Sequence, residues 1–137
     1  MSHNRVLDSR VFQLLFFADR EIADEVRGQG CPCGGALHGA RYPRKPRGGP
    51  PADLVEEYST RESFCCAVEG CRKRRTPPSL RFLGRRVYLG AVVVLASAMT
   101  GGVTEKRAAR MREFVGVSIR TLGRWREWWL ATFPRTV

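Results

Sequence analysis

The chain has 137 residues, room for one ordinary domain or two small modules, and its 43% hydrophobic content excludes a wholly disordered polymer. Its formal net charge of +11 points to a polyanionic partner, nucleic acid or an anionic membrane surface. No secretory leader is visible, and the strongest apolar run, Val87–Met99, is too short to span a bilayer. The expectation is a cytoplasmic chain with no membrane partner and with reduced thiols.

In chain order, "LDSRVFQLLFFADREIADEV" (Leu7–Val26) reads as one or two helices. Asp8 or Ser9 can cap the start, and Val11, Leu14, Leu15, Ala18 and Ile22 form an apolar stripe at helical spacing. Residues 1–29 hold four Arg against five acids, and those acids suit a solvated face. Gly28 and Gly30 stop the helix just before "CPCGG" at Cys31–Gly35. The Pro/Gly/Arg loop Arg41–Ala52 follows, where Arg41, Arg44, Lys45 and Arg47 are exposed almost by default. A short strand is expected over Glu62–Cys66.

Next comes "FCCAVEGCRKRR", with three of the five cysteines and then the cations Arg72, Lys73, Arg74 and Arg75. A metal held by four thiolates needs two ligand pairs in tight turns, where glycine lets the backbone fold back. Cys31 with Cys33 and Cys66 with Cys71 make those pairs, and Zn2+ is the expected cofactor. Cys65 and Cys66 face opposite sides of a strand, so one of them points at the ion. Cys65 remains an alternative to Cys66, and His38 is another candidate because the Cys31–Cys33 gap is narrow. An odd number of thiols argues against disulfides. The ion would supply folding energy on the order of 10 kcal/mol to a module that buries little apolar surface. It would also fix the direction of Arg72–Arg75 as a phosphate-facing ridge, with Arg41, Arg44, Lys45 and Arg47 adding further phosphate contacts.

Three helices are expected after the ridge, over Arg86–Met99, Glu105–Phe114 and Ile119–Phe133. Gly116 suits the left-handed position of a tight interhelical turn, and Ser118 can cap the helix that follows. Met111, Val115, Val117, Leu122 and Trp125 form the shared core of a helix-turn-helix. The opposite face of the last helix presents Ile119, Arg120, Thr121 and Arg124, residue types that read base edges and phosphates in the major groove. Arg126 and the cations of Glu105–Arg112 would brace the DNA backbone. Trp125 and Trp129 fall on the core stripe and Trp128 off it.

"CPCGG … FCCAVEGCRKR" resembles the zinc ribbons at the front of bacterial transposases. "VGVSIRTLGRWREWW" resembles the helix-turn-helix of transposase and mobile-element DNA-binding subunits. The resemblance covers about half the chain and implies binding of duplex DNA, such as element ends or an operator. Transposases also carry a carboxylate triad in a ribonuclease-H-like domain, which 137 residues do not accommodate here. The expectation is therefore a stand-alone accessory subunit or transcriptional regulator, not an enzyme, with a transposase or recombinase subunit as possible partner.

The fold expected is mainly α with a small zinc-ribbon β element: an N-terminal helical segment (1–29), a zinc-ribbon module (30–83) and a three-helix module (84–137). Two other function classes compete. One is a structured-RNA-binding zinc protein; the other is a helical adaptor that docks a partner through Trp128 and the last helix.

Overall fold

The computed structural model describes residues 9–48 and 55–132. Asp8, the far end of the Pro/Gly/Arg loop and Phe133 lie outside those residues. The described part is mainly helical, with two small antiparallel sheets. Helix α1 spans Ser9–Gln29; β1 (Leu37–Gly39), β2 (Tyr42–Pro43), α2 (Val55–Tyr58), β3 (Thr60–Arg61), β4 (Phe64–Cys66) and β5 (Arg74–Arg75) follow. Helices α3 (Arg85–Gly101), α4 (Glu105–Val115) and α5 (Ile119–Thr132) complete the order. No described helix is long and apolar enough to cross a membrane.

Contacts divide the chain into two units, one of Met1–Leu15 with Leu83–Val137 and the other of Phe16–Phe82. Helix α1 is divided between the two. A lone amphipathic helix has nothing to bury its stripe against. Val11, Phe12, Leu14 and Leu15 are buried in the first unit, and Ala18, Ile22 and Ala23 in the second.

In the first unit α3, α4 and α5 pack on one another. Their core is Tyr88, Val92, Leu95, Met99, Met111, Val115, Val117, Leu122 and Trp125, all nearly inaccessible. Gly90 makes the α3–α4 approach possible, because a Cβ there would lie 2.8 Å from the Phe114 ring. Thr104 caps α4 by accepting from the Arg107 amide at 3.2 Å. Gly116, at φ +79°, ends α4 in the left-handed conformation that glycine adopts without strain. The Ser118 hydroxyl then accepts from the Thr121 amide at 3.2 Å and starts α5.

The second unit is organised by a three-stranded sheet in the order β1-β4-β5 and a two-stranded pair β2-β3. The β1–β4 register sets Leu37 against Cys66 and His38 against Cys65, and the β4–β5 register sets Cys65 against Arg74. Alternation sends Phe64, Cys66 and Leu37 to the inner face, where they pack with Ala23 and Cys31. The Pro/Gly/Arg loop is less irregular than its composition suggests, since Tyr42–Pro43 pairs with Thr60–Arg61.

The second unit also holds a polar core centred on Arg81 and Asp19, 1% and 2% exposed. The Arg81 guanidinium meets the Asp19 carboxylate at 2.6 Å and donates to the Tyr58 carbonyl at 2.8 Å. Its central carbon sits 5.0–5.2 Å from the ring centres of Phe16, Tyr58 and Phe82. Asp19 also accepts from the Leu80 amide at 2.6 Å and from the Ser79 hydroxyl. Asp19 thus departs from the solvated face expected of the N-terminal acids. Its partner is far away in sequence, and only the fold brings the two charges together.

Candidate metal centre and basic faces

Cys31 closes a tight turn in which the Gly34 amide donates to the Cys31 carbonyl at 2.8 Å and the Cys31 amide to the Gly35 carbonyl at 2.9 Å. Pro32 fixes the second position of that turn, and Gly34 takes φ +94° after it. The second turn leaves β4 after Cys66 and returns at Cys71, whose amide donates to the Val68 carbonyl at 3.0 Å. Arg72 then takes the left-handed conformation at φ 52°, and the chain enters β5.

The two turns bring four sulfurs together. Cys31 and Cys71 Sγ are 3.6 Å apart, Cys33 and Cys66 Sγ are 3.5 Å apart, and all four lie within 4.8 Å of one another. A tetrahedron of sulfurs about 2.3 Å from a zinc ion has edges of about 3.8 Å, so the group matches a four-coordinate thiolate site. Four soft sulfurs select metals of the zinc, cuprous or iron–sulfur kind over oxygen-seeking cations.

The surroundings fit an ion as well. The Val68 amide donates to Cys66 Sγ at 3.4 Å. A Cβ on Gly35 would fall 2.6 Å from Val68 Cγ2, 2.8 Å from Cys66 Sγ and 3.4 Å from Cys33 Sγ, so that position accepts only glycine while the sulfurs stay in place. The Gly35 backbone draws the Cys33 thiol down, but the sulfurs of Cys66, Cys31 and Cys71 outweigh it and leave the thiol pushed up to about 12. Four thiolates at these distances repel one another unless a cation sits among them. Cys31 and Cys66 are buried, Cys71 is half-buried and Cys33 is exposed, so the site sits at the surface of its unit.

Register places the alternatives left by the sequence on the other face of the sheet. Cys65 points to the outer face, where its thiol donates to the Arg72 carbonyl at 3.5 Å, and His38 lies opposite it on that same face. Neither belongs to the sulfur cluster.

The cations divide into two kinds. Arg44, Lys45 and Arg47 line an open cleft of about 540 Å³ with Phe82 at its wall. Their loop is anchored by the Arg44 amide on the Ser59 carbonyl at 2.8 Å and the Arg47 amide on the Arg81 carbonyl at 2.9 Å, with Pro46 buried between them. Arg72, Lys73 and Arg74 are exposed, and Arg74 lies 5.7 Å over the Tyr42 ring. Arg41 is exposed and ion-paired to Glu62 at 3.6 Å. Arg75 is different: its guanidinium donates to the Gly30 carbonyl at 3.1 Å, just past the end of α1, and approaches Gln29 Oε1. Arg126 likewise donates through Nε to the Ala98 carbonyl at 3.1 Å, in the last turn of α3. Arg75 meets a carbonyl just past a helix end, and Arg126 adds a second donor to the Ala98 carbonyl, which also accepts from the Gly102 amide at 2.9 Å. On α5, Ile119, Arg120 and Arg124 are exposed and Thr121 is half-buried beside Ser118.

Comparison with protein-family models, with curated proteins and with solved structures finds no match to this chain.

Proposed function

We propose that the chain is a zinc-stabilised protein that binds double-stranded DNA. The ion takes Cys31, Cys33, Cys66 and Cys71, the second unit forms a zinc ribbon around them, and α4 and α5 act as a helix-turn-helix with α5 in the major groove. The observation that carries the DNA reading is the two-sidedness of α5. Leu122 and Trp125 are wholly buried, while Ile119, Arg120 and Arg124 project to solvent from a helix whose start is fixed by Gly116 and Ser118. A rigid helix start is what lets side chains of its first turns meet base edges in one register. Arg44, Lys45, Arg47, Arg72, Lys73 and Arg74 supply phosphate contacts, which position the protein without reading sequence. In this reading the chain is an accessory subunit of a mobile element or a transcriptional regulator, and any strand chemistry comes from a partner transposase or recombinase.

The zinc ion, when bound, supplies a tetrahedral crosslink between the two turns. Cys31 and Cys66 anchor that crosslink in the core, and the turn after Cys71 aims Arg72, Lys73 and Arg74 outward.

The test is selection from a random duplex library by the zinc-loaded protein, followed by fluorescence anisotropy on the enriched sequence. A preferred duplex should emerge, bound at least tenfold more tightly than a scrambled one. Arg120→Ala with Arg124→Ala should abolish that preference and leave salt-sensitive non-specific binding. Retained preference in the double variant would remove α5 as the reading element. Selective binding of folded RNA with no duplex preference would replace the reading by the RNA one.

A further inference from the structure

Cations and rings are interleaved on one side of the second unit. Register sets Tyr42 opposite Arg61 across β2 and β3, so the two side chains share a face. The pairing runs one step further, with the Arg44 amide on the Ser59 carbonyl, and alternation brings Arg44 to that same face. Phe82 lies against it, with the guanidinium carbons of Arg44 and Arg61 at 5.6 and 5.4 Å from its ring centre. At the other end Arg74 stands 5.7 Å over the Tyr42 ring. The result is a row, Arg74–Tyr42–Arg61–Phe82–Arg44, in which cation and ring alternate.

The row carries charge that the fold leaves unmatched. Arg81, which also touches Phe82, is met by Asp19, but none of Arg44, Lys45, Arg47, Arg61 and Arg74 is ion-paired among the described residues. Glu62, next to the hairpin, falls one position out of phase with this face and is taken up by Arg41. Arg61 is half-buried, and its Nε has no hydrogen-bond partner among the described residues. Arg44 and Arg74 are exposed, each with a ring beside it.

We infer that this face binds an unpaired nucleic-acid strand, with bases laid against the Arg44 and Arg74 guanidiniums and phosphates against Lys45 and Arg47. Two features select that ligand over a duplex. A guanidinium held beside a ring is a flat, weakly hydrated surface on which a base can stack. In a duplex the faces of each base are already covered by its neighbours, so the rings would go unused. The cleft that ends the row, about 540 Å³ between Arg44, Lys45, Arg47 and Phe82, lies in the range of small-ligand sites; one nucleotide enters it and a duplex does not. The inference rests on the nucleic-acid reading above and narrows it: Arg44 and Arg74 meet bases rather than phosphates, and no residue of α5 takes part.

The test is fluorescence anisotropy on the full, zinc-loaded chain with labelled oligothymidylate and an abasic strand of the same length. Oligothymidylate should bind about fivefold or more tightly than the abasic strand, whose phosphates are the same. Arg44→Lys with Arg74→Lys keeps the charge and removes the planar groups, so that ratio should fall towards unity while abasic binding stays as it was. Both residues are exposed, so circular dichroism and metal content should match the wild type. Arg44→Lys alone serves if they do not, and should lower the ratio in the same direction. Arg120→Ala with Arg124→Ala should leave the ratio intact, so that strand binding and duplex preference fail separately. Oligouridylate beside oligothymidylate tells which strand it is, RNA or DNA, by the tighter of the two. Equal binding of base-bearing and abasic strands by the wild type would overturn the inference. So would a ratio undiminished by the lysine variants, or one lost with the α5 pair.

Discussion

Replacing Asp19 by Asn is the sharpest available test of the buried Arg81 cluster. The substitution keeps shape and removes only charge and acceptor capacity. Asp19 accepts from Arg81 Nε and from the Leu80 amide, both at 2.6 Å, and from the Ser79 hydroxyl. Its carboxylate balances a guanidinium that is 1% exposed. Removing one partner of a buried pair costs about 3–5 kcal/mol, because the survivor keeps its desolvation without its counter-charge. The remaining Arg81 contacts, the Tyr58 carbonyl and three aromatic rings, offset part of that, so about 4 kcal/mol is expected. At roughly 3–5 °C per kcal/mol for a chain of this size, the melting temperature should fall by about 12–20 °C. Thermal unfolding followed by circular dichroism at constant zinc reads it, with Asp24→Asn on the exposed side of α1 as control. The double variant Asp19→Leu with Arg81→Met should recover stability relative to either single change, since it leaves no unpaired charge. A loss under about 1 kcal/mol for Asp19→Asn, or a double variant worse than both singles, would refute the assignment of Arg81 and Asp19 as one electrostatic unit.

Three further outcomes follow from the geometry. Zinc-loaded wild type should carry one ion per chain by elemental analysis; Cys66→Ser should lose it, whereas Cys65→Ser and His38→Ala should retain it. Gly35→Ala should weaken metal retention against a chelator by at least tenfold, because its Cβ would sit against Cys66 Sγ and Val68. Tyr88 bears on alkaline stability. Burial pushes its phenol up to about 12, from 10.0, and its hydroxyl finds no hydrogen-bond partner among the described residues. The unfolded chain therefore loses this proton first, so stability is complete below pH 10 and falls as pH rises from 10 towards 12. Tyr88→Phe should gain about 1 kcal/mol at pH 8 and gain more at pH 11, read as melting temperatures of the two proteins side by side.

What the sequence made legible was whatever local periodicity or turn chemistry dictates. Helices α1, α3, α4 and α5 announce themselves through apolar stripes, and the α4–α5 turn through Gly116 and Ser118. Their observed ends lie within three residues of the expected ones. The sulfur cluster was legible because glycine-bearing turns flank each pair. What escaped depends on partners far along the chain. Strand β5 is two residues long and exists only because β4 lies beside it. The choice between Cys65 and Cys66 needs the β1–β4 register, in which Cys66 faces Leu37. Asp19 and Arg81, separated by 62 positions, carry no mark that distinguishes them from the solvated charges nearby.

That same blindness bears on the charge of the whole chain. A composition count treats every arginine as available to a phosphate, but several are committed within the fold. Arg81 is buried on Asp19, Arg107 donates to the Gly102 carbonyl, Arg75 to Gly30 and Arg126 to Ala98. A cation already paired with a helix-end carbonyl releases no counterion from DNA, so it adds nothing to the salt dependence of binding. Arg47, exposed at the cleft and anchored among the described residues through its backbone amide, should behave in the opposite way. Arg47→Ala should reduce the slope of log K against log salt by about 1 and leave the melting temperature unchanged. Arg75→Ala should leave that slope unchanged and cost about 1–2 kcal/mol of stability, the worth of a charge-assisted hydrogen bond that is only partly shielded from water. Equal slopes for the two variants would mean that the Arg75–Gly30 contact yields to phosphate on binding, and the separation of structural from phosphate-facing cations would fail.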